Sequence, residues 1–549
     1  MRTARIFLLV VILTIIPLLP AQQPADMPAG LDKIFERWNS KETPGGAVAV
    51  ARDGRVILSR AYGMADLEHG IPNSTKTVFE AGSVSKQFTA AAIMLLVQQG
   101  KLSLDDNVRK YVPEVPDYGT LITLRHLLTH TSGLRDWGNV ESIAGWPRTS
   151  RVYTHAHVLD IISRQRALNF PPGNEHSYCN TGFNLLAIIV GRVSGISFAE
   201  FTKKYLFDPL GMSHTQWRDD YRRIVRGRAI AYVAQRQGNG FEMDMPFENV
   251  HGNGGLLTTV GDLLIWTENL ETGKVGGPVF LEMMHRQGVL NNGKVITYAS
   301  GLYITSYRGI PEVSHTGSTA GYRAFLARYP KQHLTVALLC NVGSITSADV
   351  GHRIADLFLP VPASRKSTAK TVTLPVAELS ARAGLYRNTA TGEPLRLVLV
   401  QGTLRLQRGG SLQPISSTSF RVGETDSLLT FEPVPGNSRP RIRDDRSGAD
   451  EVIFEPVAEF SPKPEELAAF AGDYYSPDAE TTLTAAVDNG SLQLRRRPET
   501  RIALTPAYED VFESSLGLIR FIRDAGGRIT QLSVRQDRVY DLRFDRAAK

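Results

Sequence analysis

Ser83-Val84-Ser85-Lys86 places a serine three residues ahead of a lysine, a spacing that suits covalent chemistry. An alcohol is a weak nucleophile until a neighbouring base takes its proton. Residues three apart on a helical turn share a face, so the Lys86 amine would stand beside the Ser83 hydroxyl. If that turn opens a helix, its unpaired N–H groups and positive dipole end favour the oxyanion that forms when a carbonyl is attacked. The pattern is short, and Ser367 to Lys370 repeats it in a Ser/Thr/Lys-rich stretch near prolines, so its meaning depends on what accompanies it.

Two further stretches accompany it. In Tyr178-Cys179-Asn180 the outer residues are two apart, so in an extended segment a phenol and an amide point the same way. The phenol could carry a proton between nucleophile and leaving group, and the amide could hold Lys86 and a substrate carbonyl. Tyr386 to Asn388 repeats this pattern too. In His315-Thr316-Gly317, between two strand-like runs, His315 and Gly317 face one side, and the glycine would let a ligand backbone approach. Two other patterns carry no chemistry. His126 and His130 have the i, i+4 spacing of metal ligands but lack the glutamate of HExxH, and Asn253-Gly254-Gly255 lacks the Gly-Lys-Ser/Thr that closes a phosphate loop.

The elements that must position these residues read as follows. Phe79 to Thr89 is a loop turning into a buried helix, with Ser83 at its N-terminus and Phe88, Ile93, Leu95, Leu96 and Val97 as its apolar positions. Gly46 to Ala51 and Val56 to Leu58 flank Asp53-Gly54 and predict a hairpin. Ile122 to His130 predicts a helix stopped at Gly133, and Phe183 to Val193 another. A helix follows Thr259 or Asp262 as its cap, and Gly301 to Tyr307 and Ala324 to Tyr329 are strands around His315.

Ser83-Val84-Ser85-Lys86, Tyr178-Cys179-Asn180 and His315-Thr316-Gly317, in that order, resemble the penicillin-recognising serine hydrolases and their SxxK, SDN and KTG set. The tyrosine resembles the branch of class C β-lactamases, D-alanyl-D-alanine carboxypeptidases, D-aminopeptidases and esterases. Leu124 to Leu134 and Gly254 to Leu263 are similar to the same branch. The resemblance implies an α+β fold, an antiparallel sheet flanked by helices plus a helical subdomain. It implies Ser83 as acylated nucleophile, Lys86 and Tyr178 as the basic pair, and Asn180 as polar clamp. His315 and Gly317 would edge the pocket, with the N–H groups of Ser83 and Ser318 as oxyanion hole. His315 stands where β-lactamases have a lysine that grips a carboxylate. It points to the D-aminopeptidase and esterase side of the branch and to substrates without a free carboxylate, with some grip restored as falling pH protonates the imidazole. No cofactor or metal is implied.

The chain has 549 residues, 42% hydrophobic and 21% charged, an ordinary globular composition. Residues 1–21 read as a signal peptide: Arg2 and Arg5, then an apolar run from Ile6 to Leu19, too short for a comfortable membrane span. A periplasmic or secreted protein is expected, with no stable span once the signal is removed. The net charge of +7, which loss of Arg2 and Arg5 lowers by two, is spread along the chain with no nucleic-acid motif. Cys179 and Cys340 sit in a motif and at the end of an apolar run, and no bridge between them is expected.

Residues 27–360 are assigned to the hydrolase domain and 361–374 to a Pro/Ser/Thr/Lys-rich linker. Beyond it the chain repeats. Gly384 returns as Gly472 and Gly402 as Gly490, both at an offset of 88 residues (472 − 384 and 490 − 402). Residues 375–458 and 463–546 alternate apolar and polar positions in short runs and predict two small antiparallel β-barrel-like modules. Such a chain is similar to three-domain D-aminopeptidases. It is expected to be an exported serine hydrolase of amides or esters of D-amino-acid compounds, acting on a small molecule or peptide, with peptidoglycan-derived compounds among the candidates. The alternatives are a carboxylesterase, a weak β-lactamase, or a sensor whose Ser83 is acylated without turnover.

Overall fold

The structure is a computed structural model that describes residues 30–146, 151–360, 371–423, 427–445 and 452–548. The signal segment and most of the expected linker lie outside these residues. Among the described residues no single helix is long and apolar enough to cross a membrane.

The hairpin expected around Asp53-Gly54 is present. Arg52 pairs with Arg55, and Asp53 and Gly54 both take positive φ (51° and 71°), the two-residue turn whose twist matches its strands. That hairpin is one edge of a six-stranded antiparallel sheet, ordered Tyr303–Tyr307, Ile310–Thr319, Tyr322–Tyr329, Leu334–Cys340, Gly46–Arg52, Arg55–Tyr62. Leu334–Cys340 is buried at every residue because helices cover both of its faces. Helix Lys86–Gln98 runs through the hydrolase core, its first eleven residues buried, and packs against helix Asn180–Ser194. Cys179 and Cys340 are both free and buried.

The tail forms two antiparallel, nearly closed barrel-like sheets, of eight strands (Gly384 to Pro456) and nine strands (Gly472 to Arg546). The duplication reaches single atoms. Tyr386 Oη donates to the carbonyl of Arg382 and Tyr474 Oη to that of Phe470, each at 2.8 Å and four residues back. Each tyrosine lies under an arginine, Arg439 at 5.7 Å and Arg546 at 5.8 Å from the ring centre.

The two copies sit differently. The first barrel has its own core, of Leu397, Phe420, Phe431 and Ile442 among others. The core of the second is continuous with that of the hydrolase domain. At their junction Asp478 is buried and accepts from Arg135 Nη1 at 2.8 Å and from Arg166 Nε at 2.7 Å.

Candidate active site

Gly82–Ser85 is a tight 3-10 turn, and the α-helix begins only at Lys86. In a 3-10 turn residues i and i+3 eclipse, which aligns Ser83 and Lys86 more closely than an α-helix would. Lys86 Nζ lies 3.0 Å from Ser83 Oγ. Its other two contacts are acceptors, Asn180 Oδ1 at 2.9 Å and the Asn253 carbonyl at 2.7 Å. Two N–H bonds therefore go to fixed carbonyls, and the third direction faces the hydroxyl.

Lys86 is fully buried. Burial, reinforced by the charge of Arg538, holds its pKa well below that of an ordinary lysine, so a neutral amine is accessible. Its Nζ sits 4.7 Å from the Tyr178 ring centre and 5.6 Å from that of Phe183.

Burial raises the Tyr178 phenol above its usual pKa, only partly offset by the Ser83 hydroxyl beside it. The phenol stays protonated, and its oxygen makes no short hydrogen bond among the described residues. Asn180 is the first residue of its helix, which is why its side chain projects backward to Lys86. Asn253 was not singled out as a site residue. The strand pairing of Phe79–Glu80 with Leu256–Thr258, and the bond from Ala81 N–H to Leu256 O, bring it here.

His130, weighed in the sequence only as a metal ligand with His126, is a second residue whose place at this site the sequence reading did not assign. The expected helix stops at Leu128, and His130 adopts a φ of 57°. Its Nδ1 accepts from Cys179 N–H at 3.1 Å, and its ring lies 4.3 Å from that of Tyr178, so it supports the tyrosine from behind. His126 Nδ1 instead accepts from Thr123 N–H at the helix start, and the two histidines do not converge.

The strand carrying His315 departs from expectation. His315 is 2% exposed and both ring nitrogens are engaged. Nδ1–H donates to the Thr316 carbonyl at 2.6 Å, and Nε2 accepts from Tyr298 Oη at 3.0 Å. Burial, with the charge of Lys86 second, lowers its pKa to about 3, so the imidazole that lines the cavity is neutral at moderate pH.

Gly317 does not line the cavity. A Cβ there would lie 2.0 Å from the Ala81 carbonyl, so the glycine admits the chain leading into Ser83, not a ligand. Gly82, with φ 50°, is its counterpart, since a Cβ there would lie 2.6 Å from Ser318 N. The two close approaches set the backbone of Ser318 against that of Ser83. Thr316 and Ser318 are the residues of this strand that face outward.

The cavity over Ser83 measures about 460 Å3. Its wall includes Tyr178, Asn180, Asn253, Tyr303, Ser318 and, from the far end of the chain, Arg538. A larger cleft of about 870 Å3 lies where the two barrels meet the hydrolase domain at Asn169 and Glu175, and neither Ser83 nor Lys86 lines it. Lined by Arg387, Arg520, Asp510 and Tyr508 among others, it offers no comparable pairing of nucleophile and base.

The pattern of the Beta-lactamase family matches residues 31–358. The chain belongs to this family. A penicillin-binding protein of Bacillus subtilis is 30% identical over 57% of this chain and 71% of its own length. A D-aminopeptidase of Gluconobacter oxydans is 26% identical over 76% of this chain and 78% of its own, which reaches into the barrels. The octameric penicillin-binding protein homologue from Pyrococcus abyssi shares the fold, with a TM-score of 0.55 and 24% identity over 77% of this chain and 98% of that one. The protein is thus a serine hydrolase of the β-lactamase fold, as the five separated stretches imply.

Proposed function

We propose that this β-lactamase relative is an exported hydrolase that forms an acyl-enzyme at Ser83 on amides or esters of D-amino-acid compounds. One observation carries the reading: a fully buried lysine holds two carbonyls and turns its remaining direction to a serine hydroxyl at 3.0 Å. Lys86, as a neutral amine, accepts the Ser83 proton while Oγ attacks the carbonyl carbon. The N–H groups of Ser83 and Ser318 take the oxyanion. Tyr178, still a phenol, passes a proton to the leaving nitrogen and is refilled from Lys86, while Asn180 keeps the lysine in place. Water then attacks the ester by the reverse path.

D-amino-acid compounds are favoured because D-aminopeptidases are among the relatives. Export rests on the character of residues 1–21. Intact-mass measurement after exposure to a fluorophosphonate should show one adduct, mapped to Ser83 and absent in Ser83→Ala. An adduct elsewhere, or one that persists in that variant, would sink the reading. Initial rates on matched D- and L-aminoacyl anilides decide the stereochemical part.

A further inference from the structure

The cavity over Ser83 contains a cation that the hydrolase domain does not supply. Arg538 belongs to the two-residue turn between strands Ile529–Gln536 and Val539–Arg546 of the second barrel. Its guanidinium carbon sits 4.8 Å from the centre of the Tyr178 ring and lines the same cavity as Ser83. No carboxylate pairs with it among the described residues. The one glutamate of the cavity wall, Glu248, is buried and lies 3.5 Å from Arg218.

The turn is held in place. The Arg538 carbonyl accepts from Asp136 N–H at 3.2 Å and from Asn169 Nδ2 at 2.9 Å, and the Asp537 carbonyl accepts from Ser177 Oγ at 3.4 Å. Asn139 Nδ2 donates to Gln536 Oε1 at 2.8 Å. A loop merely resting on the surface would not need four tethers around a half-buried arginine.

We propose that Arg538 is the carboxylate anchor of this site, and that the substrate is an acylated amino acid with its α-carboxylate free, cleaved at the amide that precedes that residue. This deepens the acyl-enzyme reading and rests on it. The leaving nitrogen must lie beside Tyr178 to receive its proton. The carboxylate carbon is two bonds from that nitrogen, within about 2.5 Å of it. It therefore falls next to whatever flanks Tyr178, and Arg538 does. A guanidinium matches a carboxylate with two parallel N–H bonds.

The reaction balances simply. Ser83 Oγ bonds to the acyl carbon, the C–N bond breaks, and the amine leaves with the proton Ser83 gave up. Water then hydrolyses the ester, leaving an acid and a free amino acid. The cation that His315 does not provide on its strand thus arrives from another module.

The probes are N-acetyl-D-alanyl-D-alanine and its C-terminal amide. Their binding is measured by calorimetry to the full chain bearing Ser83→Ala, with and without Arg538→Gln or Arg538→Lys. The acid should bind 10- to 100-fold more tightly than the amide, a gap that collapses with Arg538→Gln and partly survives with Arg538→Lys. Equal binding of acid and amide, no binding of the acid, or a gap that Arg538→Gln leaves intact would each overturn the proposal. Any shift Arg538 imposes on Lys86 acts on both ligands and cancels in the ratio. Fluorophosphonate labelling of the parent chain reads the other claim separately. Labelled Ser83 without an acid preference sinks only the carboxylate anchor, and an acid preference without labelling sinks only the acyl-enzyme.

Discussion

The carboxylate of Asp136 accepts the backbone N–H of Asn180 at 2.6 Å. Its other oxygen caps helix Trp137–Ala144 by accepting from Gly138 and Asn139, and its own N–H goes to Arg538. One buried side chain thus fixes the helix start that carries Asn180, and its backbone fixes the turn that carries Arg538.

Asp136→Ala should cost about 2 to 4 kcal/mol, a lost cap plus a buried N–H left unpaired. Asp136→Asn, which still accepts, should cost about half as much. Thermal unfolding checks the stability term. Acylation rates should fall more than tenfold in the alanine variant, because Asn180 no longer holds Lys86 in register, and an unchanged rate would remove Asp136 from the site.

Lys86 sets the sign of a pH effect. Its folded-state pKa is depressed by burial first and Arg538 second, so between that value and about 10.5 the unfolded chain binds more protons and stability rises with pH. Lys86→Met removes this slope, so its stability relative to the parent should be greatest near neutrality and decline towards pH 10. The acidic limb of kcat/KM should report the same group and move to higher pH in Arg538→Gln. A limb that stays put would show that the two charges do not interact.

His315 gives the opposite experiment. Its pKa of about 3 against an ordinary 6.5 means the unfolded chain binds the extra proton between these values, so stability falls as pH drops through that window. His315→Gln should flatten the acid side of the stability curve measured by urea unfolding. The ratio of rates for matched acid and amide substrates should stay level from pH 7.5 to 5.5, contrary to what the sequence suggests of an imidazole at this position. A ratio that climbs as pH falls would restore His315 as the carboxylate reader.

Asp478→Ala leaves Arg135, itself buried, with only the neutral acceptors Gln165 and the Asp541 carbonyl and no carboxylate, at a cost of about 3 to 5 kcal/mol. The second barrel should loosen from the hydrolase domain, seen as increased amide exchange across residues 135 and 166, and the acid-over-amide preference should decline with it. Preference retained in an undocked protein would mean that Arg538 is not its source.

The grouping of Ser83, Lys86, Tyr178 and Asn180 was legible because each rests on a local rule: i, i+3 on a turn, or a short polar stretch ahead of an apolar helix. The tandem barrels were legible because a duplication leaves matching letters at one offset. The neutral, internally bonded state of His315 was not legible because a strand pattern tells which side a residue faces but not whether Tyr298 will occupy its nitrogen. Gly317 was assigned to a ligand, whereas Ala81, far away in sequence, fills the space. His130, Asn253 and Asp136 gain their roles only through long-range packing. Arg538 carried a weak signal, a turn dipeptide between alternating strands, and nothing in those letters says that the turn points into a cavity formed by residues 82 to 319.

The docking of the second barrel also orders events during synthesis. Ser83, Lys86, Tyr178 and Ser318 all emerge from the ribosome before either barrel, whereas Arg538 follows only when most of the second barrel has been made. A chain interrupted in the second barrel would lack both Arg538 and the part of the core that this barrel shares with the hydrolase domain. If Arg538 selects the substrate as proposed, selectivity in this protein depends on the second barrel, and proteolytic clipping within that barrel should lower the preference for acid over amide.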